Sequence, residues 1–215
     1  MPAPAKASRG MPEPIRVILA TSNPGKVREY SVLAGEFSVE LALLPNLSGI
    51  PAFEESAPTF AENAVGKAEY FSKHSSAIVL ADDSGLVVPA LGGAPGVHSA
   101  RYAGPSASDA DRIRKLLRAM DGKEGPERRA RFICVTAIAQ QGRVLAAVSD
   151  CAEGTLTKEP GGTDGFGYDP IFFFEQLGRT YAELTREEKN KYSHRGKAFR
   201  KALAVLAAQN SVTFL

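Results

Sequence analysis

Two periods of apolar residues alternate along the chain. Ile15–Ala20 is a short aliphatic run that predicts a buried strand, and Thr21-Ser22-Asn23-Pro24-Gly25 follows with turn and cap chemistry. Lys26–Leu33 predicts a helix with Val27, Tyr30 and Leu33 on one face, and Phe37–Leu44 a second strand. Residues 45–58 read as a loop. Thr59 and Glu62 have the spacing of a capping box, and the helix they open carries Phe60, Ala64, Ala68 and Phe71 on one stripe. Ala77–Ala81 is a continuous apolar strand expected to stop at Asp82-Asp83-Ser84-Gly85, with Leu86–Leu91 a further short extended piece. After a loop over residues 92–105, Ser108–Met120 predicts an amphipathic helix burying Ile113, Leu116, Leu117 and Met120. Arg131–Ala139 and Val144–Glu153 predict a hairpin about Gln141-Gly142. Pro170–Phe174 reads as a short aromatic strand and Thr185–Tyr192 as a helix. Ser193 caps a last helix to about Ala208, with Phe199, Leu203 and Leu206 inward. Helices and strands alternate first and a hairpin comes later, which predicts a mixed α/β sheet. The polar stretch over residues 121–127 is placed between two lobes.

Composition narrows the partners. The chain has 215 residues, 44% hydrophobic and 23% charged, with a net charge of +2. That balance argues against bulk nucleic-acid or membrane binding, and leaves room for a small anionic ligand met by a few local cations. No apolar run is long enough to span a bilayer. Cys134 and Cys151 have no metal spacing and sit in apolar stretches. They read as two buried free thiols in a reducing compartment, taken as the cytoplasm. Residues 1–14 are rich in Pro and Ala and predict a disordered tail, with Met11 as an alternative start. Residues 15–215 form one expected domain of two lobes.

Five segments offer chemistry. Thr21, Ser22, Asn23, Pro24, Gly25 and Lys26 lie at a strand-to-helix turn, where free backbone N–H groups and a lysine favour phosphate. It lacks the spacing of a Walker loop, and alone reads as an ordinary capped helix start with a surface lysine. Asp82 and Asp83 end the third strand. One is expected to face a cleft as a hard oxygen ligand suited to Mg²⁺, and the other to prop the turn. Glu54-Glu55 in the long loop, and Asn63 and Lys67 on one helix face, read alone as solvated surface. Gly165-Phe166-Gly167-Tyr168-Asp169 offers a planar ring between glycines, suited to stacking on a base or to closing a tight turn. Lys189, His194 and Arg195 form a second basic helix start.

The order of these segments decides between the readings. Ser22–Lys26, Thr59–Ala64, Asp82–Leu86, Pro95–Tyr102, Gly165–Pro170 and Ser193–Gly196 closely resemble the motifs of the inosine/xanthosine triphosphate pyrophosphatase family, over about Val17 to Ala207. The resemblance implies an elongated two-lobed mixed-sheet fold with the active site in the cleft, a homodimer, and Mg²⁺. It implies hydrolysis of deaminated purine nucleoside triphosphates (ITP, dITP, XTP) to the monophosphate and pyrophosphate. It puts the phosphate loop on Thr21, Ser22, Asn23, Pro24, Gly25 and Lys26. The metal falls on Glu54 and Asp83, with Glu55 adjacent to the former. Asp83 is the implied proton acceptor. Substrate contacts fall on Ser84, Phe166, Gly167, Tyr168, Asp169, Lys189, His194 and Arg195. Arg195 and Lys189 are expected to offer donors to the 6-oxo group of the base, and Lys189 with Lys26 to neutralise the triphosphate.

Overall fold

The computed structural model describes residues 15–37, 39–45 and 47–211; the tail expected over residues 1–14 lies outside them. Strand β1 (Ile15–Leu19) leads through an Asn23 cap into α1 (Pro24–Ala34), and β2 (Val39–Leu43) returns parallel to β1. Helix α2 (Phe60–Ser72) crosses to β3 (Ile78–Val87), also parallel to β1. Thr59 caps α2 by accepting from the Glu62 N–H, while the Glu62 carboxylate accepts from the Thr59 hydroxyl. Helix α3 (Asp109–Ala119) precedes β4 (Arg129–Gln140) and β5 (Arg143–Leu156), which pair as the expected hairpin around Gln141-Gly142. Strands β6 (Phe172–Phe174) and β7 (Arg179–Thr180), then α4 (Arg186–Tyr192) and α5 (His194–Ser211), complete the order. The sheet runs β2-β1-β3-β4-β5-β6-β7, parallel at the β2-β1-β3 end and antiparallel from β3 onward.

Three cores flank this sheet. Val79, Ala81, Val135 and Ala137 face α2 through Ala64, Ala68 and Phe71. The alternate residues Val17, Leu80 and Ile138 face α1 and α5 through Tyr30, Leu33, Phe199 and Leu203. Residues two apart on a strand share a face, so the two sides of β3 belong to different helices. The third core sits on the far halves of β4 and β5, where Phe132, Ala152 and Leu156 meet Leu116, Met120, Phe172 and Tyr181.

Two expectations are corrected. Strand β3 does not stop at Asp82; it continues through Asp83, Ser84 and Gly85 to Val87, because β4 pairs with it across that whole stretch. The ladder to β4 satisfies the backbone there, so two adjacent carboxylates do not end the strand. The segment over residues 121–127 does not separate lobes: Met120 before it and Ala130 after it belong to the same far core. The long strands β3, β4 and β5 join the two ends of the molecule instead.

Candidate active site

The register of β3 sorts the two aspartates. Asp82 shares its face with Leu80 and Ser84 and points toward α1 and α5; Asp83 points toward α2. Asp82 is 1% exposed and pairs with Lys26, whose Nζ lies 3.0 Å from Oδ2, and with the Arg195 guanidinium. Burial alone would raise the Asp82 carboxyl, but Lys26, Arg195 and Lys67 outweigh it and hold it well below the usual range. Asp83 accepts from Asn63 Nδ2 at 3.0 Å and from the Ser84 N–H at 2.9 Å. Burial pushes its carboxyl up, against the pull of Lys26, Lys67 and Asn63. Asp83 and Ser84 line the cleft as expected of one aspartate, but Asp82 props no turn: it lies beneath within β3, paired with Lys26 and Arg195.

The cleft is a cavity of about 1210 Å³, above the usual range for small-molecule sites. One wall is the start of α1. Asn23 Oδ1 accepts from the Gly25 and Lys26 N–H groups, and Thr21 Oγ1 accepts from the Asn23 N–H. The next wall is the loop before α2. Here Glu55, not Glu54, lines the cavity, and its carboxylate closes on the Lys67 ammonium. Glu54 is exposed. Alternation along an extended loop turns neighbours to opposite sides, and sequence had no means to choose between them. Lys67 also donates to the Asp82 carbonyl at 3.2 Å. Burial pushes its ammonium down to about 8, with Lys26 adding to the drop and Asp82 and Asp83 opposing it.

The far wall carries Phe166, Tyr168, Asp169, Lys189, His194 and Arg195. Lys189 and Arg195 are 6% and 2% exposed, so each needs a partner. Glu29 on α1 supplies it, placing one carboxylate oxygen on each. Asp169 closes the other side of Lys189, and Arg195 Nη2 donates to Ser84 Oγ at 2.7 Å. The result is a chain of alternating charge: Asp169, Lys189, Glu29, Arg195, Asp82, Lys26. Glu29 is a site residue that the motifs did not indicate. Its signal was helical spacing, since Gly25, Glu29 and Leu33 fall on one face and the outer two are buried.

His194 stacks on Phe132 with ring centroids 4.7 Å apart and planes 9° apart. Burial, with Arg195 and Lys189 repelling its proton, holds the imidazole well below its ordinary range, so it is neutral. The Phe166 ring packs on Gly25, where a Cβ would stand 2.6 Å from ring atoms; only glycine permits that approach. Lys189 Nζ lies 4.9 Å and Arg195 Cζ 5.6 Å from the ring centroid. The flanking Gly165 and Gly167 have φ of +78° and +63°, the left-handed region that glycine supplies without strain.

The cleft thus brings together the predicted phosphate-loop, catalytic and substrate-contact residues, and of the predicted site only Glu54 does not line it. A model of the Ham1 family matches residues 17–205. This chain belongs to the Ham1 family. It is 50% identical over 185 residues to a dITP/XTP pyrophosphatase of Geobacillus kaustophilus, covering 86% of this chain and 91% of that protein. It is 47% identical over 190 residues to one of Bacillus licheniformis, covering 88% and 97%. Among solved structures, a HAM1 protein from Coxiella burnetii superposes with a TM-score of 0.78 at 40% identity, over 90% of this chain and 99% of that one.

Proposed function

We propose that this Ham1-family chain hydrolyses deaminated purine nucleoside triphosphates (ITP, dITP and XTP) to the monophosphate and pyrophosphate. The observation that carries the reading is the charge arrangement of the cleft, in a chain about half identical to dITP/XTP pyrophosphatases. The paired cations Lys26, Lys67, Lys189 and Arg195 already face Glu29, Glu55, Asp82, Asp83 and Asp169. Lys189 is therefore committed to the far wall and does not neutralise phosphate. These side chains leave no positive surplus for a triphosphate, so a cation must accompany the substrate.

The donor set fits Mg²⁺. Among the described residues no three His, Cys, Asp or Glu form a metal cage. Mg²⁺ needs none, since it takes one or two carboxylates and fills its shell with phosphate oxygens and water. Asp83 and Glu55 would hold it, and it would supply charge neutralisation at the phosphates and a more acidic water. The turn ahead of α1 lines the cleft where the phosphates would lie, and Lys26, shared with Asp82, is the cation of that wall. A water attacks the α-phosphorus, the bond from that phosphorus to the bridging oxygen breaks, and pyrophosphate leaves with the bond electrons. Asp83 accepts the proton of the water, a role favoured by burial, which raises its carboxyl. Phe166 and the neutral His194 flank the base. Lys189 and Arg195, the expected donors, line the far wall; donors there would match the 6-oxo group of inosine and xanthosine, whereas the adenine amine would meet donor against donor, a mismatch worth about 1–3 kcal/mol.

We further read the chain as a two-fold homodimer, the commonest closed assembly, acting in the cytoplasm, where two free cysteines persist. Product analysis tests the reaction: ITP with Mg²⁺ should give the monophosphate and pyrophosphate. A diphosphate and inorganic phosphate would place the attack at the γ-phosphorus and overturn the reading.

A further inference from the structure

The backbone that bears Phe166 is held from outside its own loop. The Phe166 N–H donates to Asp169 within the loop at 2.7 Å. The next N–H, of Gly167, donates at 2.7 Å to Oδ2 of Asp109, the first residue of α3 and 58 positions away. The other Asp109 oxygen receives the Arg112 guanidinium. Arg112 in turn donates to the carbonyls of Ala100 at 2.9 Å and Ala107 at 2.7 Å. The 3₁₀ turn over Gly96–Arg101 is itself fixed to β3, because Ser99 Oγ accepts from the Leu86 N–H at 2.9 Å. The Tyr168 hydroxyl donates to the Ser99 carbonyl at 2.9 Å. The loop is thus tied at two consecutive residues, Gly167 and Tyr168, to a frame that runs through Arg112 to the strand carrying Asp83.

We propose that Asp109 is a positioning residue for base recognition: with Arg112 it fixes the backbone on which Phe166 turns, so that the ring reaches the base through its side-chain torsions alone. Three observations carry this. Gly165 and Gly167 give the segment freedom that the Phe166–Asp169 bonds remove from within and the Asp109 and Tyr168 bonds from outside. The Asp109 bond is charge-assisted, the stronger class. Asp109 is aimed by a guanidinium bonded on three sides, so its own rotamer is fixed. Asp109 and Arg112 also line the cleft, beside the ring they are inferred to place. The proposal rests on Phe166 stacking on the base. It makes the loop a prepaid part of the site: order lost from it reappears as weaker binding of every purine, with the phosphate chemistry untouched.

The chain has no tryptophan, so Phe166→Trp places one fluorophore at the point in question. In that background Asp109→Ala should shift tryptophan emission to the red and increase acrylamide quenching. Asp109→Asn, whose carbonyl still accepts from Gly167, should stay near the parent. In the Phe166 enzyme, Asp109→Ala should raise KM for ITP and XTP alike by about 10-fold, the scale of one charge-assisted hydrogen bond. Its kcat should change by less than about twofold, and Asp109→Asn should restore most of KM. Arg112→Gln should move both readouts the same way by less, and it decides the matter if Asp109→Ala does not fold. Emission and KM unchanged in these variants, or a fall in kcat at constant KM, would overturn the proposal. If no protein turned over nucleotide, the emission readout would still decide the loop's anchoring, while the functional reading would fail separately.

Discussion

Asp83 and His194 show how burial and partners set the work of single residues. Asp83 sits at the cleft with its carboxyl raised by burial, and Asp82 beneath it is held low by Lys26 and Arg195. Adjacent, chemically identical groups are thus driven apart, one toward proton acceptance and the other toward permanent charge. Asp83→Asn keeps the shape and removes the charge. Turnover should fall by roughly 100-fold or more, with the melting temperature unchanged or slightly higher, since a desolvated charge is removed. Near-normal turnover would show that the chemistry lies elsewhere. His194 gives a stability prediction. Its folded pKa is depressed, so its contribution is present above the unfolded value near pH 6.5 and is lost as pH falls from there toward the folded value. Urea midpoints measured between pH 7.5 and 5.5 should drop, with a slope of up to about 1.4 kcal/mol per pH unit, and His194→Gln should flatten that slope. An equal slope in both proteins would mean that the buried imidazole does not stay neutral. Arg195→Ala is a poor probe of base choice, because it removes one of the two buried cations that each of Glu29 and Asp82 relies on, leaving only Lys189 and Lys26. Phe166→Ala removes no such cation.

At the scale of elements, the strands and helices that build the cleft were legible because their apolar periods are clean. Val17 and Leu19 in β1, the Ala64-Ala68-Phe71 stripe of α2, and the β4–β5 hairpin about Gln141-Gly142 all lie where their spacing put them. What failed was local reading of polar residues inside elements. Asp82-Asp83-Ser84-Gly85 resembles a strand end by composition, and only pairing with β4 keeps it extended. Glu29 was passed over because an isolated glutamate on a helix looks solvated until its partners, 160 and 166 residues later, are known. The choice between Glu54 and Glu55 depends on the facing of a loop with no period at all. Gly25 is a case where an element's stability and the site conflict. Alanine at a helix position gains up to about 1 kcal/mol over glycine, yet its Cβ would displace the Phe166 ring. Gly25→Ala should therefore melt no lower than the parent while KM for ITP rises severalfold. A variant with unchanged KM would show that the contact between Phe166 and Gly25 is dispensable.

For the whole molecule, the sheet explains why one cleft holds residues from so many segments. Strand β3 carries Asp82 and Asp83 on opposite faces, so α1 with α5, and α2 with its leading loop, deliver cations and carboxylates from both sides. The far core on β4 and β5 then sets α3 and the Phe166 loop opposite them. Among the described residues no helix is long and apolar enough to cross a membrane. Light scattering at micromolar concentration should report a dimer; a monomer alone would remove the assembly from the account. This cleft should select purines with a 6-oxo group and cleave them only with a divalent cation. The measurement is pyrophosphate release from ITP, XTP, GTP and ATP, each with Mg²⁺ and with chelator. Release should be absent with chelator, and kcat/KM for ITP and XTP should exceed that for ATP by roughly 10- to 100-fold or more. Equal turnover of ATP and ITP, or full activity in chelator, would contradict it.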